Sequence, residues 1–179
     1  MMADPVFVLD ANVFIEAKNR YYAFDLGTRF WESLVDLAVN GRVESIDRIK
    51  HELLRGRDSP KEGEDPDELA VWVKGGFAQA FVSTDEQDVV SSYADVMNWV
   101  NQQARFTDAA KAEFASSADG WLVAYARARE RVVVTHEQPA PESRNEVKIP
   151  DICLAFHVRP VDTFQMLREL RQLGVPWTL

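Results

Sequence analysis

Asp10 closes the apolar run Val6-Phe7-Val8-Leu9, and Glu52 lies inside Ile49-Lys50-His51-Glu52-Leu53-Leu54. Asp119 opens Asp119-Gly120-Trp121-Leu122, and Glu137 follows Val132-Val133-Val134-Thr135-His136. Carboxylates act as general acids and bases and as ligands of hard cations. If these acids meet, their like charges repel and call for a counter-cation. A donor set of oxygen alone selects magnesium or manganese over zinc. The histidines, His51, His136 and His157, lack the paired helical spacing of a zinc motif. His51 and His136 adjoin two of the acids and are kept as contacts to substrate or to the acids themselves. The sequence holds no G-x-x-x-x-G-K phosphate loop and no G-x-S-x-G turn, which argues against a nucleoside triphosphatase and a serine hydrolase.

The elements that must position these acids can be read from hydrophobic periodicity. Residues 6–9 read as a strand buried on both faces, leading into a first helix that begins at 13–17 and is interrupted at 19–22. From Thr28, Phe30, Trp31, Leu34, Leu37 and Ala38 recur at helical spacing until Asn40-Gly41 supplies a stop. A strand at 43–46 precedes Asp47 as the expected cap of a helix over 48–54. The Gly-, Pro- and acid-rich stretch 56–67 reads as a solvated loop, and a helix over 68–77 leads to a third strand at 78–83. Thr84-Asp85 is the expected cap of a long helix to about 103, and helices follow over 109–115 and 118–131. The valine strand at 132–134 is followed by a Pro-rich connection, a short helix near Pro150, an edge strand at 160–162, and a last helix capped by Thr163 and ended by Gly174. Alternating strands and helices imply helices on both faces of a mainly parallel sheet of four or five strands. In such a sheet the strand ends and the starts of neighbouring helices share one edge, so Asp10, Glu52, Asp119 and Glu137 are expected to converge there. Each also has a plain structural use: turn or cap for Asp10 and Asn12, solvated helix for Glu52, helix dipole for Asp119, polar loop for Glu137.

A chain of 179 residues that is 46% hydrophobic supports one good core, and a single domain over 1–179 is expected. With 20 Lys and Arg against 29 Asp and Glu, the net charge of -9 excludes a protein that coats nucleic acid through uniform positive charge. It leaves open an enzyme that meets nucleic acid through a local basic rim and a metal-filled acidic pocket. The lone Cys153 excludes an internal disulfide framework and suits a reducing compartment. No apolar run approaches the roughly 18 residues of a membrane span, and no basic stretch leads into a hydrophobic one at the start, so a soluble, cytoplasmic protein is expected.

Taken in order, VLDANVF, IKHELL, ADGWLVAYA and VVVTHE resemble the motifs of the PIN-domain ribonucleases, whose toxin members pair with an antitoxin. The likeness covers nearly the whole chain. More narrowly, DANVFIEAKNRYY, ADGWLVAYA, VVTHE and VKIPDIC resemble a PIN subgroup long known only as a domain of unknown function. That subgroup is often found beside a helix-turn-helix regulator carrying a metallopeptidase-like domain. The resemblance implies a three-layer α/β/α sandwich and a magnesium- or manganese-dependent endoribonuclease, with an antitoxin as partner and a homodimer left open. It gives Asp10, Glu52 and Asp119 the roles of the three central acids, Asn12 that of a polar residue orienting the first acid, and Thr135 that of the hydroxyl near the fourth. That fourth acid is usually Asp. Glu137 stands here, which leaves Asp151 open as the fourth or an additional acid. Gly120, unusual inside a helix, is expected to let substrate or metal come close.

The chemistry implied is metal-assisted hydrolysis of an RNA phosphodiester, with Asp10, Asp119 and Glu137 holding the ion and Glu52 as an outer ligand or proton acceptor. Lys18, Arg20, Lys50 and Arg55 lie near the acids in sequence and are candidates for holding flanking phosphates, and Tyr21 and Tyr22 for stacking bases. Two other readings remain. One is a non-catalytic PIN-fold module that binds RNA or protein, and the other a phosphatase with Asp10 as nucleophile, which would need Asp where Asn12 stands.

Overall fold

The computed structural model describes residues 4–58 and 64–175. Its centre is β1 (Phe7–Leu9), with all three side chains fully buried. β1 pairs in parallel with β2 (Val43–Ile46) on one side and with β4 (Val132–Val134) on the other. β3 (Phe81–Val82) pairs with β2, and β5 (Pro160–Val161) with β4, giving a five-stranded sheet in the order β3-β2-β1-β4-β5 with every pair parallel. A strand with no solvated face has no use for alternation, which is why β1 and β4 are uninterrupted apolar runs. Pro160, which has no N–H for a ladder, sits on the edge strand.

The crossovers carry the remaining elements. Between β1 and β2 lie α1 (Ala11–Glu16), which runs straight into a π-helical turn at Ala17–Tyr21, and α2 (Thr28–Val39). α3 (Asp47–Leu54) and α4 (Glu68–Lys74) connect β2 to β3, with a 3₁₀ turn at Ala78–Ala80 just before β3. The long crossing from β3 to β4 holds α5 (Gln87–Gln102), α6 (Asp108–Ser116) and α7 (Asp119–Arg129). α8 (Ile149–Ala155) joins β4 to β5, and α9 (Thr163–Gln172) follows β5. Connections from β1 run one way along the sheet and those toward β4 and β5 run the other. Right-handed crossovers therefore put the two sets of helices on opposite faces. The packing agrees: α1, α3 and α4 touch one another, as do α5 with α6 and α7, and α7 with α8. This is the α/β/α sandwich expected.

Local departures from the expected elements have tertiary causes. The third strand shrinks to Phe81–Val82. Thr84 does not cap α5, because its N–H and hydroxyl both donate to the Asp47 carboxylate, at 3.2 and 2.8 Å. Asp47 is accordingly the first residue of α3 and not its cap, and it ties the ends of β2 and β3 together. Asp162, not Thr163, caps α9, accepting the Gln165 N–H at 2.7 Å. The loop expected over 56–67 falls partly on 59–63, outside the described residues; its far end is ordered by Asp67, which caps α4 and pairs with Lys18. Among the described residues no helix is long and apolar enough to cross a membrane.

Candidate active site

In the strand order, connections leave β1 toward β2 and return past it to β4, so β1 and β4 flank the point where the winding reverses. The crevice outside the carboxyl ends of two such strands is where open α/β sheets bind ligands. Asp10 is the first residue beyond β1 and the N-terminal flank of α1, and its own N–H continues the ladder to the Val134 carbonyl at 2.9 Å. Thr135 is the corresponding residue beyond β4, and its N–H donates to the Val161 carbonyl at 2.9 Å. The Thr135 hydroxyl donates to Asp10 Oδ2 at 2.9 Å and accepts the Glu137 N–H at 3.1 Å. One hydroxyl thus holds the first acid and the backbone of the fourth. Asn12, by contrast, is exposed in the first turn of α1.

Glu137 is held at its tip as well. Its Oε2 accepts the Ile149 N–H at 2.7 Å, using a donor that the start of α8 leaves without a helical partner, and Lys148 Nζ lies 3.6 Å from Oε1. Lys148 also pairs with Glu146 at 3.0 Å. Asp119 opens α7, with its N–H donated to the Ser117 hydroxyl at 3.3 Å. Glu52 is half-buried on α3. Asp119, Glu137, Lys148 and Ser117 line a cavity of about 110 Å³.

Electrostatics shows that these acids sense one another. Asp10 is raised from 3.8 to about 8, first by burial, then by the charge of Asp119, with Glu137 adding to it against the Thr135 hydrogen bond. Asp119 rises to about 6 through burial, the charge of Glu137 and, more weakly, that of Glu52. Burial also raises Glu52, opposed by Arg55. Beneath the site, burial and the nearby Asp10 charge push the Cys153 thiol up to about 12, which makes it a core group and not a nucleophile. Among the described residues, no three His, Cys, Asp or Glu side chains are drawn close enough to hold an ion as they stand. The donor chemistry nevertheless fits a hard divalent cation: the coupled groups are all carboxylates, and their mutual repulsion is what such an ion would relieve.

Other residues singled out by sequence fall in varied places. Asp151 is buried at the start of α8, where Oδ2 accepts the Ala140 N–H at 3.1 Å and so fastens the Pro-rich connection. Lys18 is paired with Asp67 at 2.6 Å, and Arg20 is exposed beside Tyr21. Lys50 lies 5.9 Å from the centre of the Phe81 ring. Arg55 alone of these cations acts on one of the four acids. Tyr22 stacks on Phe30 at 4.2 Å within the packing around α2, whereas Tyr21 is half-exposed and stacks on His136 at 6.4 Å. His136 meets the Thr163 hydroxyl at 2.8 Å. Gly120 does not open the site: an added Cβ would come within 3.0 Å of the Tyr93 ring and 3.1 Å of the Phe114 ring, so it is glycine to let α5 and α6 pack against α7. Sequence reasoning missed Lys148 and Ser117, both of which line the acidic cavity. Lys148 lies within VKIPDIC, but no periodicity marks a lysine at a helix start as facing a carboxylate.

The strand order and the helices on both faces are those of a PIN-like fold. The chain resembles VapBC2 from Rickettsia felis, solved bound to a DNA fragment from their promoter, with 15% identity, a TM-score of 0.54, and coverage of 88% of this chain and 98% of that one. It also resembles FitAcB from Neisseria gonorrhoeae, at 18% identity and a TM-score of 0.54 over 87% of this chain and 96% of that one. At these identities the likeness is one of fold. No curated protein matches the sequence. Residues 7–173 match the family described as a domain of unknown function, DUF4411, and the chain belongs to that family.

Proposed function

We propose that this protein is a divalent-metal-dependent endoribonuclease and the toxin of a toxin–antitoxin pair. The observation that carries the reading is the delivery of Asp10, Glu52, Asp119 and Glu137, from four separate stretches of chain, to one sheet edge where they are electrostatically coupled. Asp10, Asp119 and Glu137 would hold magnesium or manganese. Once bound, the ion supplies Lewis-acid stabilisation of the phosphate and a more acidic water.

The chain's own groups do the rest. Thr135 fixes the Asp10 carboxylate, so that its orientation does not depend on the ion. Lys148 and the Ile149 N–H hold the longer Glu137 side chain back toward α8, which accommodates Glu where the resembled family usually has Asp. Glu52, half-buried and raised by that burial, accepts the proton of the attacking water at a carboxylate oxygen. The partner would be an antitoxin, a helix-turn-helix regulator with a metallopeptidase-like domain. The antitoxin is supported by the shared fold with chains solved in VapBC2 and FitAcB, and the regulator with its metallopeptidase-like domain by the motif resemblance alone.

Cleavage of labelled single-stranded RNA in magnesium or manganese, against a chelator control, tests the reading. Asp10→Asn is expected to slow cutting severely by weakening the hold on the ion, and induced expression of the wild type, but not the variant, to arrest growth. Equal cutting by both proteins sinks the proposal.

A further inference from the structure

A second cavity, of about 190 Å³, adjoins the acidic one; it is lined by Arg48, His51, Glu52, Arg55, Ser116 and Ser117. Ser117 lines both cavities, and Glu52 acts electrostatically on Asp119, so the two are halves of one cleft. Their charges are opposite in kind. The first is walled by Glu113, Asp119, Glu137 and Glu146 against Lys148. In the second, two arginines and a histidine face a single carboxylate, in a chain whose net charge is -9. Helical spacing explains the grouping: 51 and 52 each lie three or four residues from both 48 and 55, so the four positions share one face of α3 and its last turn.

We infer that this basic cavity seats a backbone phosphate of the single-stranded RNA, next to the phosphodiester held over the acids. The inference rests on the ribonuclease reading and names how its substrate is held. Arg48 is built for the task. Its guanidinium lies 3.7 Å over the Trp121 ring, which is itself stacked at 3.7 Å on Tyr93. Its Nε donates to the Thr84 hydroxyl at 3.0 Å, and that threonine is buried and held by Asp47. Its Nη2 also lies 3.9 Å from the exposed Asp85 carboxylate, a solvated pair that a phosphate would displace. A guanidinium held by stacking and by one hydrogen bond presents its planar edge with little loss of side-chain freedom on binding, which suits phosphate more than a mobile lysine would. Arg55 and His51 are exposed at the mouth. The serine hydroxyls already donate within the chain, Ser116 to the Glu113 carbonyl at 2.8 Å and Ser117 to that of Phe114 at 2.9 Å. Contact to the anion therefore falls to Arg48, His51 and Arg55. A polyanion laid across the cleft has one phosphate over the acids, where a cation is needed, and a neighbouring one over cations the protein already provides. Ser117, at the corner between α6 and α7, marks the boundary.

The test is equilibrium binding of a labelled single-stranded oligoribonucleotide in magnesium, by fluorescence anisotropy across a salt series. Asp10→Asn serves as the uncut background. Adding Arg55→Ala, an exposed change that leaves the fold intact, is expected to weaken binding roughly tenfold and to flatten the log–log salt dependence by about 0.7, the value of one phosphate contact. Arg48→Lys keeps the charge but loses the stacked plane, and is expected to weaken binding with less change in salt dependence. Arg127→Ala, at the far end of α7 in a pair with Asp95, is expected to change neither. Unchanged affinity and slope with Arg55→Ala overturn the inference even if the wild type cuts RNA. A flattened slope in a protein that cuts no RNA upholds the phosphate seat and instead removes the ribonuclease reading.

Discussion

In the acidic half of the cleft, Asp10, Asp119 and Glu137 come from distant points in the chain; Asp10 is buried, Glu137 is tethered and Asp119 is partly buried. In the basic half, Arg48, His51 and Arg55 come from one helix and its last turn and face solvent in part or whole. The two halves meet at Ser117 but are held in different ways. Buried like charges lower the stability of the fold, so the acids need the Thr135 hydroxyl, the Ile149 N–H and the Lys148 ammonium to stay in place. The arginines need less of this, because water solvates them in part; Arg48 is braced by Trp121, Thr84 and, more loosely, Asp85. Chemistry that must be aimed is placed by tertiary structure, and attraction that needs only a sign is placed by helical periodicity.

The largest effect that follows concerns pH and stability without metal. Asp10 has an ordinary value of 3.8, raised to about 8 in the folded chain, and Asp119 is raised to about 6. The folded state therefore binds these protons more tightly than the unfolded state does. That contribution to stability is complete below about pH 4 and is lost as pH rises through 6 for Asp119 and 8 for Asp10. Each pH unit of such an interval is worth about 1.4 kcal/mol. Metal-free protein is expected to melt at a lower temperature at pH 8 than at pH 5.5, and saturating magnesium or manganese to recover the difference. Asp10→Asn, which keeps an acceptor for Thr135 but removes the charge, should raise the metal-free melting temperature at pH 8 by roughly 5–10 °C. A melting temperature that is the same at both pH values, in wild type and variant alike, would mean that the acidic half carries no stored repulsion, and the contrast with the basic half would collapse.

Thr135→Val probes the tether with a smaller effect. The substitution keeps shape, removes the hydroxyl that joins Asp10 Oδ2 to the Glu137 N–H, and leaves that N–H without its partner. The cost is about 1–3 kcal/mol in stability, together with a loss of roughly 10–100-fold in metal affinity by calorimetry. Metal affinity equal to wild type would show that the acids hold their places unaided.

The same division between tertiary and helical placement decides what was legible in the sequence. The strands at β1, β2 and β4, the helices α2, α5 and α7, and the parallel order could be read because each is written in local periodicity. So could the nearness of Asp10, Asp119 and Glu137, which lie just beyond strand ends or at a helix start of a parallel sheet, whereas Glu52 reaches Asp119 from the sixth residue of α3. What could not be read depends on partners far away in sequence. Thr84 looks like a cap and is instead taken by Asp47. Gly120 looks like an opening and is instead required by the Tyr93 and Phe114 rings. Asp151 and Glu137 are both acids near α8, and only the structure separates the one bonded to Ala140 from the one acting on Asp10 and Asp119. Proximity in sequence to the acids singled out Lys18 and Lys50, whose partners Asp67 and Phe81 no local pattern announces, and the stacking of Arg48 on Trp121 is equally a contact between distant elements.

The smallest effect tests the basic half by the same measure. Arg55 is exposed at the end of α3 and acts on Glu52 by lowering it against the rise caused by burial. Removing it by Arg55→Ala takes away an attraction already screened by water, so stability should change by no more than about 0.5 kcal/mol in either direction. The lost charge lets Glu52 rise further, which moves the acid limb of the pH–rate profile, where this proton acceptor loses its charge, to higher pH and leaves the melting temperature nearly still. A drop in melting temperature comparable to that of Thr135→Val would place Arg55 among the structural supports of the cleft. The basic half would then be as dependent on its tethers as the acidic half, and the contrast between them would rest on Arg48 and His51 alone.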